Sequence, residues 1–291
     1  MKIRAVVTGA SSGIGRAIAL SLAGRIVAGR NAPGQIESLP PNPLATDDSA
    51  ADSAPRPAAD SSSAVLVHYC NNRDGAEQTA DQIREMGVAT EIVRGDLCQA
   101  EDRRRLVDDV WNFFGPPTTW VNNAGADVLT GPASEWPFDQ KLRVLMETDV
   151  FGTIDLTRRV VQRLPVGGTD PPASITFIGW DQALQGMDGD AGQMFAPVKA
   201  AVTAYASSLA QQVAPDIRVN TIAPGWIQTA WGNQTDSYWD RRAKRDALMQ
   251  RWGTPADVAR AVCFVADPAN SFCTGQTINV NGGWNRTFNA E

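Results

Sequence analysis

Apolar, β-branched runs at roughly residues 3–8, 64–69, 88–94, 118–122, 173–179, 217–223 and 276–280 alternate with helical patterns at roughly 13–23, 74–86, 99–114, 138–163, 192–213, 236–250 and 255–267. Strands and helices in strict alternation leave few folds open. Strands apolar on both faces must be covered on both, and the crossover helices do the covering. The pattern therefore predicts a single-domain α/β protein with a doubly wound parallel sheet of about seven strands. In such a sheet, ligands bind in the crevice outside the carboxyl ends of the strands. The first strand closes on Thr8-Gly9-Ala10-Ser11-Ser12-Gly13-Ile14-Gly15 and passes into the helix-forming Arg16-Ala17-Ile18-Ala19-Leu20. Glycines at such a turn allow backbone conformations and close approaches that a Cβ would block. The helix N-terminus offers unpaired N–H groups and positive dipole charge to a pyrophosphate.

Further motifs follow later strands in a fixed order: Gly95-Asp96-Leu97, Asn122-Asn123-Ala124-Gly125 and Ala223-Pro224-Gly225. With Gly253-Thr254-Pro255-Ala256-Asp257-Val258 and the closing Asn279-Val280-Asn281-Gly282-Gly283, the chain resembles the short-chain dehydrogenase/reductase family over nearly its whole length. Its layout is nearest to 3-oxoacyl-carrier-protein reductases and pteridine-type reductases. The resemblance implies one Rossmann-type domain over residues 1–291, a nicotinamide cofactor and an oxidoreductase acting on the carbonyl of a small molecule. It also implies a homodimer or homotetramer built on the two long helices that carry Asp149 and Lys199.

The 291 residues, 43% hydrophobic and 20% charged, suffice for one large domain with a well-buried core. A net charge of −6 without a visible basic face speaks against nucleic acid as a partner. Cys70, Cys98, Cys263 and Cys273 form no Cys-x-x-Cys pair, and the single His68 leaves no metal-ligand cluster, so reduced thiols and no metal are expected. His68 reads as a strand histidine satisfied locally rather than as a catalyst. Met1-Lys2-Ile3-Arg4 enters the first strand without a signal-peptide pattern, and no apolar stretch reaches membrane-spanning length; the expectation is a soluble, cytoplasmic protein. Between the first helix and second strand, residues 24–63 are rich in Pro, Ser, Ala and Asp and poor in aromatics. Too little apolar surface is available to offset their ordering, which predicts a disordered insertion on the edge opposite the cofactor.

By the family resemblance, Gly9, Ser11, Gly13 and Ile14, with Ser12 and Gly15 in the same turn, line the pyrophosphate. Asp96 and Leu97 meet the adenine, and Asn123, Ala124 and Gly125 flank the adenosine side of the nicotinamide half. Pro224, Gly225 and Ile227 lead to Thr229, which faces the carboxamide. The second strand is followed by Asn71-Asn72-Arg73 with no acid to bind a ribose 2′-OH. Arg73 can pair with a 2′-phosphate, which favours NADP(H) over NAD(H); the alternative is a solvated arginine opening the next helix.

The reaction centre departs from the family. Its Tyr-x-x-x-Lys stands here as Phe195-Ala-Pro-Val-Lys199, so Lys199 can still reach the nicotinamide ribose while Phe195 has no proton to donate. The family's serine is replaced by Trp180 in one register and by Gln182 in another, and Asp149 stands in the place of its asparagine. Two explanations compete. Asp181 or Asp149, desolvated against Trp180 and Phe195, could hold a proton near neutral pH and supply it; alternatively, the chain binds cofactor as a catalytically silent sensor or regulatory subunit. The aromatics Trp226, Trp231, Tyr238, Trp239 and Trp252 follow the Pro-Gly turn, where they could line an apolar substrate site or pack a subunit interface.

Overall fold

The computed structural model describes residues 2–31, 63–165, 167–169, 171–229, 232 and 237–284. Seven strands form one parallel sheet: β1 (Arg4–Val7), β2 (Ala64–Tyr69), β3 (Ala89–Arg94), β4 (Thr119–Asn122), β5 (Ala173–Ile178), β6 (Ile217–Pro224) and β7 (Thr277–Val280). Their order is β3-β2-β1-β4-β5-β6-β7. The winding reverses between β1 and β4, which opens a crevice where the loops after these two strands part. The α-helices are α1 (Gly13–Asn31), α2 (Arg73–Glu85), α3 (Ala100–Phe114), α4 (Phe138–Leu145), α5 (Thr153–Arg163), α6 (Gly189–Val213), α7 (Ser237–Asp246) and α8 (Pro255–Ala266).

Each face of the sheet has its own core. Trp120, Ile175 and Phe177 pack with Leu106 of α3, Leu156 of α5 and Val198 of α6 on one side. Val7, Val65 and Ile222 pack with Ile18 of α1, Ile83 of α2 and Val262 of α8 on the other. Each such side chain fully withdrawn from water contributes about 1.5–3 kcal/mol. β2, β5 and β6 are buried along their length, whereas the edge strands β3 and β7 are partly exposed. Local signals set the helix starts. Asn72 accepts the Gly75 N–H at 2.9 Å to open α2, and Thr254 and Asp257 form a reciprocal capping box at α8.

The strand expectations hold to within about two residues, but three helical expectations are corrected. First, α1 does not stop near residue 23. Ile26 is buried in the core, Arg25 donates to the Cys263 carbonyl at 2.8 Å, and Arg30 donates to the Gly87 carbonyl at 3.0 Å. Residues 24–31 are therefore helix rather than insertion, and Ser63 is also placed, its hydroxyl accepting the Ile3 N–H at 3.1 Å. Residues 32–62 lie outside the described residues. Second, the helix expected over 138–163 is divided by a π-helical turn at Met146–Gly152. Third, α7 ends at Asp246, four residues early, because Leu248 and Met249 turn to bond the Gly283 and Gly282 carbonyls.

Candidate active site

All the glycine motifs converge on the carboxyl edge of the sheet. Gly9 has φ +64°, and a Cβ there would lie 2.8 Å from Ala124 Cα; a Cβ on Gly15 would lie 2.2 Å from the Gly9 carbonyl. These glycines let the β1 turn and the β4 loop touch. Thr8 and Asn123 then stitch them together: Thr8 Oγ1 accepts the N–H groups of Asn123 and Ala124, and Asn123 Nδ2 donates to the Thr8 and Gly9 carbonyls, all at 2.9–3.1 Å. Arg16 braces the turn from beneath through the carbonyls of Ser11 and Gly75. Ser12 and Gly13 stay exposed at the N-terminus of α1, and a Cβ on Gly13 would meet nothing nearer than Thr229 Cγ2 at 4.0 Å. The exposed N-terminus of α1 at Ser12 and Gly13 could hold a diphosphate.

At the neighbouring strand ends, Gly95 bonds the Tyr69 carbonyl, Asp96 Oδ1 accepts the Cys98 N–H, and Leu97 is buried. Arg73 opens α2 with its side chain 72% exposed and 3.7 Å from Glu77. Sequence reading missed a second cation here: Arg94 pairs in register with Tyr69 and its Nε donates to the Cys70 carbonyl at 3.3 Å. Only the β2–β3 register, invisible in linear spacing, brings it to the end of β2.

Lys199 and Asp149 form an ion pair at 3.0 Å, with Lys199 17% and Asp149 3% exposed. The π turn carries Asp149 inward, where its Oδ1 accepts the Ala126 N–H at 2.8 Å. Gly125 makes room, since a Cβ there would lie 2.7 Å from Asp149 Oδ2. Phe195, one turn before Lys199, packs against the core. The end of β5 abuts the Lys199 turn: a Cβ on Gly179 would lie 3.1 Å from Thr203 Oγ1, which donates to the Lys199 carbonyl at 2.8 Å.

Trp180 and Asp181 follow Gly179. The Trp180 carbonyl accepts the Ala183 N–H, and the buried Asp181 donates its own N–H to the Pro224 carbonyl at 3.1 Å. Asp181 Oδ2 accepts from Asn281 Nδ2 at 3.0 Å, while Oδ1 is buried without a hydrogen-bond partner. Burial pushes this carboxyl up to about 6, against the opposing effects of the Asn281 bond and the backbone N–H groups of Gln182 and Asp181. The two aspartates thus have separate environments: Asp149 is charge-paired, and Asp181 has one oxygen unused. Asn281 went unread as a partner of Asp181 because 100 residues separate them.

Gly225 bonds the Val280 carbonyl and Ile227 is buried against Gly253. The aromatics beyond them form one cluster. Trp226 lies 5.5 Å from Trp239 and 6.1 Å from Trp252, and Tyr238 lies 5.2 Å from Trp239. Arg242 covers the Trp226 and Trp239 rings at 5.9 and 5.3 Å. Trp231 lies outside the described residues. The four cysteines are free thiols. Among the described residues, no group of acids, histidines and cysteines could hold a metal, and no helix is long and apolar enough to cross a membrane.

Comparison with known proteins agrees with this geometry. A family profile described as enoyl-(acyl carrier protein) reductase matches residues 44–285. The 3-oxoacyl-[acyl-carrier-protein] reductase FabG of Staphylococcus epidermidis is 26% identical over 97% of this chain and 99% of its own. An uncharacterized oxidoreductase of Bacillus subtilis, YhxC, is 30% identical over 75% of each. Among solved structures, a short-chain dehydrogenase from Burkholderia cenocepacia, crystallised in complex with NADP, superimposes with a TM-score of 0.74 at 24% identity, covering 97% of both chains. With its parallel seven-stranded sheet and glycine motifs gathered on one edge, the chain belongs to the short-chain dehydrogenase/reductase family of NAD(P)-dependent oxidoreductases.

Proposed function

We propose that this oxidoreductase uses NADP(H) to reduce the carbonyl of a small molecule, with Asp181 taking the place of the family's tyrosine as proton donor. The observation that carries this reading is the buried, unpartnered Oδ1 of Asp181 at the carboxyl edge of β5. A carboxyl that burial raises to about 6 keeps its proton below that pH, where it can donate a hydrogen bond and then the proton. Asp149 fits the role less well, because both its oxygens already accept hydrogen bonds, from Ala126 and Lys199.

The Gly9–Gly15 turn and Thr229 would hold the diphosphate and carboxamide, Asp96 and Leu97 the adenine, and Asn123, Ala124 and Gly125 the ribose between. The reduced nicotinamide supplies the hydride when bound. Lys199, oriented by Asp149, anchors the nicotinamide ribose. Asp181 delivers its proton to the carbonyl oxygen, is left as carboxylate, and is reprotonated from water. Arg73, with Arg94 at the end of the neighbouring strand, would meet a 2′-phosphate, and the NADP bound by the Burkholderia cenocepacia relative supports that choice. The loop at 180–187 and the aromatic-rich segment Trp226–Trp252 would flank the substrate. A homodimer or homotetramer through α5 and α6 completes the reading.

Titrating NADPH and NADH, then following NADPH oxidation with 3-oxoacyl thioesters, ketones, enones and quinones, tests it. Turnover that falls by about 10²-fold or more in Asp181→Asn, with cofactor affinity intact, is expected. Full activity in that variant would remove Asp181 as donor. Cofactor binding without turnover on any substrate would favour a silent sensor or regulatory subunit, a reading supported by Phe195 being packed into the core.

A further inference from the structure

The chain's one histidine sits between the two loops that would grip the adenosine diphosphate. His68, in β2, is buried. Its Nδ1 accepts the Gly9 N–H at 3.2 Å, and its Nε2 lies 3.0 Å from the Gly95 carbonyl. An N–H can only give and a carbonyl can only receive, so the partners dictate a neutral ring with its proton on Nε2. The backbone reinforces the link: the His68 carbonyl accepts the Ala10 N–H at 2.9 Å. A Cβ on Gly95 would lie 3.2 Å from Nε2, so glycine is what lets the β3 loop close onto the ring. One imidazole thereby ties the Gly9 turn to the Gly95-Asp96-Leu97 loop.

We infer that His68 is a positioning residue for the dinucleotide: by bonding Gly9 and Gly95 at once, its neutral imidazole holds the pyrophosphate turn and the adenine loop at a fixed separation. The inference rests on the cofactor reading above. The environment keeps the ring neutral. Burial lowers its pKa to about 4, outweighing the nearby Asp96 and Asp102, which favour the charged form. Neither carboxylate bonds the ring: Asp96 Oδ1 is taken by the Cys98 N–H and Asp102 Oδ2 by the Asp96 N–H.

The test compares dissociation constants for NADPH, by fluorescence titration, with thermal melts of the unliganded protein. His68→Leu, which fills the space and offers neither bond, should weaken NADPH about tenfold or more while the unliganded protein keeps a cooperative melt. His68→Gln, whose amide carries an acceptor and a donor about as far apart as the two ring nitrogens, should recover affinity to within about threefold. At saturating NADPH, turnover in both should return to that of the unaltered protein, since the loss is in ground-state positioning. Equal affinity of the unaltered and leucine proteins overturns the inference and leaves the cofactor reading standing. If leucine prevents folding, His68→Asn, which can face Gly9 but not reach Gly95, replaces it: unchanged affinity there overturns the inference. Failure of the unaltered protein to bind NADPH or NADH would overturn the cofactor reading itself and this inference with it.

Discussion

Asp149 Oδ2 and Lys199 Nζ lie 3.0 Å apart where the π turn faces α6, so the ammonium on α6 is matched by a carboxylate on the adjoining element. Breaking such a pair from one side strands the other charge. Asp149→Ala should therefore destabilise the fold by about 3 kcal/mol or somewhat less, given the partial exposure of Lys199. Lys199→Met should cost a similar amount, and the double variant less than the sum. Denaturant melts of the three variants check this; strict additivity would mean that the two groups do not couple.

Asp181 should impose a pH dependence on both catalysis and stability. With Asp181 as the proposed donor, carbonyl reduction needs its protonated form, so kcat/KM should fall about tenfold per pH unit above about 6, and Asp181→Asn should flatten the profile. For stability the sign is opposite to that of an ordinary salt-bridged carboxylate. The folded group holds its proton up to about 6, whereas an unfolded aspartate releases it near 3.8; its contribution is full below 3.8 and is lost as pH rises to about 6. Asp181→Asn should accordingly raise the melting temperature at pH 7.5 relative to the unaltered protein, and have a smaller effect at pH 4.

His68 pulls the other way. Its folded pKa is lowered from 6.5 to about 4, so its contribution is present above 6.5 and is lost as pH falls towards 4. In that window the unfolded ring takes a proton that the buried one refuses. Between about 4 and 6 the two groups offset one another. His68→Gln should leave a protein that grows more stable on acidification there, and Asp181→Asn one that grows less stable. Melts at half-unit steps would show both; slopes unchanged from the unaltered protein would remove these assignments.

Cofactor choice should turn on Arg73, which opens α2, and Arg94, at the end of β3. Arg73→Asp should reverse a preference for NADPH over NADH. Arg94→Ala should weaken NADPH several-fold and leave NADH unchanged, because only one of them carries the extra phosphate. Equal dissociation constants for both cofactors in the unaltered protein would remove the argument.

The insertion can be trimmed only to where α1 ends. Replacing residues 32–62 by a short Gly/Ser turn should preserve the cooperative melt and cofactor affinity, since Ser63 and the end of α1 stand at the sheet edge far from the glycine turns. Extending the cut back to residue 26 should cost stability through the loss of Ile26 from the core and of the Arg30 bond to Gly87. A cooperative melt lost in the shorter deletion would show that the tract packs on the domain.

The parallel sheet, its seven strands and the ligand edge were legible in the sequence because β-branched runs and Gly-rich turns act locally. The aspartate roles were not. Position alone put Asp149 and Asp181 on equal footing; Lys199, Gly125 and Ala126 around one, and Asn281 and Gly225 around the other, separate them, and those neighbours meet only in three dimensions. The extent of α1 was misread because Ile26 and Arg30 lie within a composition that resembles the insertion. Their partners, the sheet core and the α2–β3 turn, like the α8 carbonyl that Arg25 bonds, are distant in sequence.

The π turn over Met146–Gly152 has one more consequence. A turn of this kind holds one residue more than an α-helical turn, so α4 and α5 are each in phase with their own neighbours but about 100° out of phase with each other. The inward aim of Asp149 is thus encoded by the length of the segment as well as by its letters. Deleting a single residue between Leu145 and Thr153 would let one straight α-helix form and swing Asp149 off Lys199 without changing either residue. In this protein the spacing of the Asp149–Lys199 pair is a matter of counting, and a one-codon deletion would unpair the lysine with both residues retained.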